Sequence, residues 1–65
     1  MINESDKGKR VRFLGGDALD DSGQPTPILG RVLDANWAAV QVEWDDGVIS
    51  TYPRARVESS LVLMP

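Results

Sequence analysis

Val40, Val42 and Trp44 alternate with Gln41 and Glu43, and the run stops at Asp45-Asp46-Gly47. A two-residue period puts the three apolar side chains on one face of a strand and the two polar ones on the other. Gly47 supplies the positive φ that a tight hairpin loop requires. Val48 to Tyr52 follows, β-branched and aromatic, until Pro53 removes a ladder donor. One dry face and one wet face describe an antiparallel sheet.

The remainder of the chain can be read in the same way. In Gly8–Leu14, Val11 and Phe13 share the inward face while Arg10 and Arg12 point to solvent. Ile28–Asp34 is a second strand with apolar residues on both faces, and Gly30 marks a sharp coil or a close neighbour. Ala35-Asn36 turns the chain, leaving Trp37 at the tip of the hairpin. Residues 15–27 are dense in Gly, Asp, Ser and Pro and are expected as one long loop. Pro53–Arg56 suits a single turn of 3₁₀ helix, and Val57–Met64 is expected as a fifth strand beside the first. No 3.6-residue period persists. The expected fold class is all-β, a five-stranded barrel with one 3₁₀ turn before the last strand. Residues 1–7 are expected as a disordered lead-in, and 8–65 as the single domain.

Sixty-five residues lie near the lower limit for a chain that folds alone. There is no Cys and no His, so neither a disulfide nor a thiolate metal site can form, and the commonest general base is missing. Self-association is the remaining way to reinforce so small a core, which makes a homo-oligomer a reasonable expectation. The tail Leu61-Val62-Leu63-Met64 points the same way, since an exposed apolar stripe needs a cover. The apolar runs fall far short of the roughly 20 residues that span a bilayer. Residues 1–9 lack the apolar stretch of a signal peptide. The expectation is a cytoplasmic protein without a membrane partner.

The net charge is −3, which weighs against a dedicated nucleic-acid binder. The distribution is uneven. Residues 1–14 carry Lys7, Lys9, Arg10 and Arg12 against two carboxylates, whereas residues 15–52 carry Arg31 against seven. Strand one should neighbour the last strand, so Arg10 and Arg12 are expected near Arg54 and Arg56, a set that could grip phosphates. The alternative reading is a solvated face that pairs with Glu4, Asp6 and Glu58. The aspartates at 17, 20, 21, 45 and 46 lack the spacing of a calcium loop, so no metal site is expected. Ser and Thr hydroxyls have no partner at a recognisable spacing, so no catalytic dyad or triad is expected.

Gly8-x-x-Val11, Gly30-x-Val32, Val42-Glu43-Trp44-Asp45-Asp46-Gly47 and Val57 after the helical turn together resemble SH3-like small barrels of the Tudor and KOW kind, over residues 8–58. That resemblance implies a binding module, with Trp37 and Tyr52 as candidate contacts. Phe13 and Trp44, in phase with the core valines, are expected to pack. Tudor-like readers bind methylated Lys or Arg in an aromatic cage, to which Trp37, Tyr52 and Trp44 could contribute. Gly8-Lys9-Arg10-Val11-Arg12 and Tyr52-Pro53 also resemble the type II plasmid-encoded dihydrofolate reductases, NADPH-dependent homotetramers with a shared pore. In that family a Val-Gln-Ile-Tyr-Pro segment lines the pore, which would make Ser50, Thr51 and Tyr52 the pore-lining set here. The Gln and Ile positions hold Ser50 and Thr51, and the family's lysine position holds Phe13. These departures weigh against reductase activity. The leading expectation is a non-enzymatic module, without cofactor, that recognises a protein or nucleic-acid partner through Trp37, Tyr52, Arg10, Arg12, Arg54 and Arg56. A reductase-like oxidoreductase is the alternative, and a phage or mobile-element inhibitor of a host protein is the third reading, hinted at only by the acidic stretch 34–46.

Overall fold

The alternating run forms a strand over Ala39–Trp44 (β3), with Val40, Val42 and Trp44 buried. The computed structural model describes residues 2–65; Met1, part of the expected lead-in, lies outside them. Around β3 stand Arg10–Leu19 (β1), Pro25–Ala35 (β2), Ile49–Pro53 (β4) and Leu61–Leu63 (β5). They make one antiparallel sheet in the order β4-β3-β2-β1-β5. β4 and β5 are its two edges, and no ladder joins them. The all-β class holds, as an open five-stranded sheet with one short helix.

Three local expectations change. Residues 15–27 are not a loop: β1 and β2 continue through them as a hairpin arm that closes on Asp20–Gln24. The Asp20 side chain accepts from the amides of Ser22 and Gln24, and Gly23 takes φ +82°. Asp20 N–H donates to the Gln24 carbonyl, so the next pair out, Leu19 and Pro25, is not hydrogen-bonded. The same holds two residues on, for Asp17 and Pro27. Both prolines therefore face away from β1, where a missing N–H costs the ladder nothing. Between Arg12 and Asp17 the register shifts, and Phe13–Gly16 bulge from β1 opposite Ile28 alone.

The expected 3₁₀ turn is instead an α-helix, Arg54–Ser60 (α1), and the last strand is correspondingly short. Pro53 caps the start with extended backbone, Val57 carries the helix's buried side, and Leu61, already extended, opens β5 in the core. Residues 2–7, expected as disordered, pack against the body. Glu4–Asp6 form a 3₁₀ turn closed by a reciprocal capping box between Asn3 and Asp6. Ile2 is 3% exposed and belongs to the same core as Val11, Val32, Val40 and Val57. Arg54 donates to the Ile2 carbonyl and, through Nε, to the carbonyl of Asn36 at 2.8 Å. The N-terminus, the β2–β3 turn and α1 are thus tied at one end of the sheet. Among the described residues no helix is long and apolar enough to cross a membrane.

Asp6 is 5% exposed, yet its carboxylate is held below the ordinary value of 3.8. The Asn3 amide at 2.9 Å is the main cause, followed by Lys9 at 2.9 Å. Asp20, Asp34 and Asp45 are lowered as well, by Ser22, Lys7 and Arg10 respectively. A depressed folded-state pKa adds stability that is complete above 3.8 and is lost as pH falls through the folded values. The urea midpoint should therefore be flat from about pH 7 to 5 and fall below about pH 4, and Asp6→Asn should shrink that fall. Ile2→Ala should lower stability by about 2–4 kcal/mol, read as a drop in urea midpoint at unchanged slope.

Candidate functional site

Gly30 in β2 lies opposite Trp44 in β3. A β-carbon at residue 30 would come within 2.8 Å of both the Glu43 carbonyl oxygen and Trp44 Cε3, and within 2.9 Å of Val42 Cγ1. The indole therefore lies directly on the β2 backbone, and Trp44 is only 8% exposed. Phe13 meets it edge to face at 5.9 Å between centroids, and Tyr52 does the same from the other side at 6.4 Å. Register sets the rest: Val42 pairs with Ser50 and Val40 with Tyr52, so both β4 side chains share the face of the buried valines. The Trp44 indole N–H donates to Ser50 Oγ at 3.0 Å. Three rings in a row are held by packing and one hydrogen bond.

Their outer side is the floor of a groove of about 470 Å³. One wall comes from the arm, with Ala18, Pro27, Ile28 and Leu29; the other is the β3–β4 turn, with Asp45, Asp46 and Val48. Asp45 is tied to Arg10 through two hydrogen bonds of 2.9 Å, which hold its carboxyl below the usual range. Asp46 accepts from the Val48 amide within its own turn. Asp46 makes no ion pair among the described residues, so the β3–β4 turn brings an uncompensated negative charge to the groove. An apolar aromatic floor with an acidic border favours a ligand that combines apolar groups with positive charge.

The residues singled out from sequence do not form one site. Tyr52 lines the groove, but Trp37 does not; it stands 90% exposed on the β2–β3 turn, where Asn36 Oδ1 binds the amides of Ala38 and Ala39. Ser50 and Tyr52 share the groove face, while Thr51 lies on the opposite face of β4. The four arginines have separate surroundings. Arg10 pairs with Asp45, Arg12 with Asp17 at 3.3 Å, and Arg54 turns to the carbonyls of Asn36 and Ile2. Arg56 is exposed on α1. Among the described residues no three potential metal ligands converge.

Sequence reasoning missed Ala18 and Pro27 because residues 15–27 were read as a loop, and it placed Phe13, Ile28, Leu29 and Val48 on strands without showing that they meet at one groove. The signal that could have found the wall is the alternation of Pro25 and Pro27 with Thr26 and Ile28, an edge-strand pattern. Phe13 and Trp44 were expected in the core and belong to both, packed on one side and lining the groove on the other. A scan against protein-family models and searches of the curated proteins and of the solved structures found no match.

Ser50→Ala leaves the Trp44 N–H without its partner and should cost about 1 kcal/mol in chemical denaturation. Trp37→Ala removes an exposed side chain and should leave stability within about 0.5 kcal/mol.

Proposed function

We propose that this chain is a non-enzymatic binding module of the SH3-like kind that takes an extended protein segment in the aromatic groove. The strand order β4-β3-β2-β1-β5, the long β1–β2 hairpin and the helix between β4 and β5 support the small-barrel reading. The groove itself carries the functional reading: three aromatic side chains, Phe13, Trp44 and Tyr52, form one apolar floor between the apolar arm and the polar β3–β4 turn. Two of its polar groups are already engaged within the protein. Ser50 Oγ accepts from Trp44, and Asp45 is bound to Arg10, so neither is poised as a nucleophile or base. Phosphates would be repelled by the unpaired Asp46 on the β3–β4 turn. A protein segment with apolar side chains flanked by Lys or Arg meets both features.

The test is selection from a displayed random-peptide library with the wild-type chain as bait. Enriched peptides should carry basic and apolar residues, weaken as salt rises, and bind Tyr52→Ala at least about tenfold less well. Far-UV circular dichroism of that variant checks that it is folded. Recovery of no peptide, or equal binding by Tyr52→Ala, overturns the reading. Retention of single-stranded DNA or RNA in place of peptides would move the site to a nucleic-acid class.

A further inference from the structure

Edge strands present unpaired backbone groups, and folded proteins blunt them with charge, proline, bulges or short length. Most edges of this sheet carry such protection. β5 spans only Leu61–Leu63. In the arm, β2 presents Pro25 and Pro27, which have no N–H to offer, and β1 is broken by the bulge at Phe13–Gly16. β4 differs. From Gly47 to Pro53 the chain carries no charge, and Val48 and Ile49 are exposed.

The direction of each β4 amide follows from the hydrogen bonds at its two ends. Trp44 N–H donates to the Val48 carbonyl, and Arg54 N–H donates to the Ala38 carbonyl. Both pairs share the register that joins Val42 to Ser50 and Val40 to Tyr52, so these are the hydrogen-bonded pairs of the β3–β4 ladder. Ile49, Thr51 and Pro53 occupy the intervening positions. The N–H and C=O groups of Ile49 and Thr51 therefore point away from β3, towards the open edge of the sheet.

We propose that this edge pairs with β4 of a second copy, antiparallel, about a two-fold axis at Ser50. Ile49 of each copy then lies opposite Thr51 of the other. Each such pair exchanges two backbone hydrogen bonds, so four form in all, and Pro53 is left outside the pairing. No like charges are opposed, because the strand has none. An isologous contact of this kind closes at two copies and does not propagate. Two five-stranded sheets become one of ten.

The pairing changes the groove. In this register Tyr52 of one copy lies opposite Val48 of the other, and opposed residues in antiparallel strands share a face. Tyr52 and Val48 both line the groove. Each groove thus gains an apolar neighbour from the second chain, and the two grooves run together across the axis. The inference stands on backbone geometry alone and does not depend on what the groove binds.

The experiment is light scattering on the full chain from about 1 μM to 1 mM, the span of weak-to-moderate association. The mass should rise from one chain to two and go no higher. Ile49→Lys places charge on the edge, and Thr51→Pro deletes only an outward amide that the β3 ladder does not use. Both variants should remain at the mass of one chain with unchanged far-UV circular dichroism. Hydrogen exchange of wild type gives an independent reading, because the Ile49 and Thr51 amides should exchange at least about tenfold more slowly at high concentration than at low. A wild type that stays monomeric at 1 mM, a dimer that survives Ile49→Lys, or exchange at these amides that ignores concentration overturns the proposal. If Thr51→Pro does not fold, the exchange measurement on wild type decides alone.

Discussion

Trp44 can occupy the centre of this sheet only because residue 30 has no side chain. The indole rests on the β2 backbone at Gly30, and any β-carbon there would meet the Glu43 carbonyl oxygen, which is main chain and cannot swing aside. In so short a chain the loss of one large buried ring is a large part of the core. The other members of that core are mostly valines, with Ile2, Ala35 and Leu61 at its margins. Phe13 and Tyr52 are placed by their edge-to-face contacts with the same indole. Stability and the candidate site therefore meet in one side chain, buried on its inner side and lining the groove on its outer.

A second constraint comes from the size of the core. An open sheet of five short strands has two ends where apolar side chains meet water. At one end the chain's own N-terminus supplies the cover, with Ile2 in the core and Asp6 binding the Asn3 amide. Arg54 joins this cover to the β2–β3 turn by donating to two main-chain carbonyls. At the other end the arm and the β3–β4 turn stand apart, and the space between them is the groove. One end is closed by the N-terminal segment and Arg54 and the other is left open, which gives the molecule a direction.

Legibility from sequence followed the range of the interactions involved. β3 was readable to its last residue because alternation is a property of neighbours, and Asp45-Asp46-Gly47 and Asn36 were readable as turns for the same reason. The arm was not, because turn-forming residues dominate its composition while strand pairing there depends on which way each proline nitrogen faces. The helix was missed because its one buried residue, Val57, cannot show a period. Ile2 reaches the core through a capping box and the Arg54 contact, and the latter spans almost the whole chain. For the site, Tyr52 was legible as an aromatic beside a strand end, but the row it belongs to was not. Phe13, Trp44 and Tyr52 come from β1, β3 and β4, and only the ladder registers bring them together.

The same alternation that builds the groove also exposes the edge. Even-numbered residues of β4 turn their side chains to the groove and their backbone groups to β3, while Ile49 and Thr51 turn theirs the other way. One strand is thus a groove wall by its side chains and an open ladder by its main chain. A segment bound in the groove would meet the side chains of Ser50 and Tyr52, whereas a strand added along β4 would use the main chain of Ile49 and Thr51, at right angles to it.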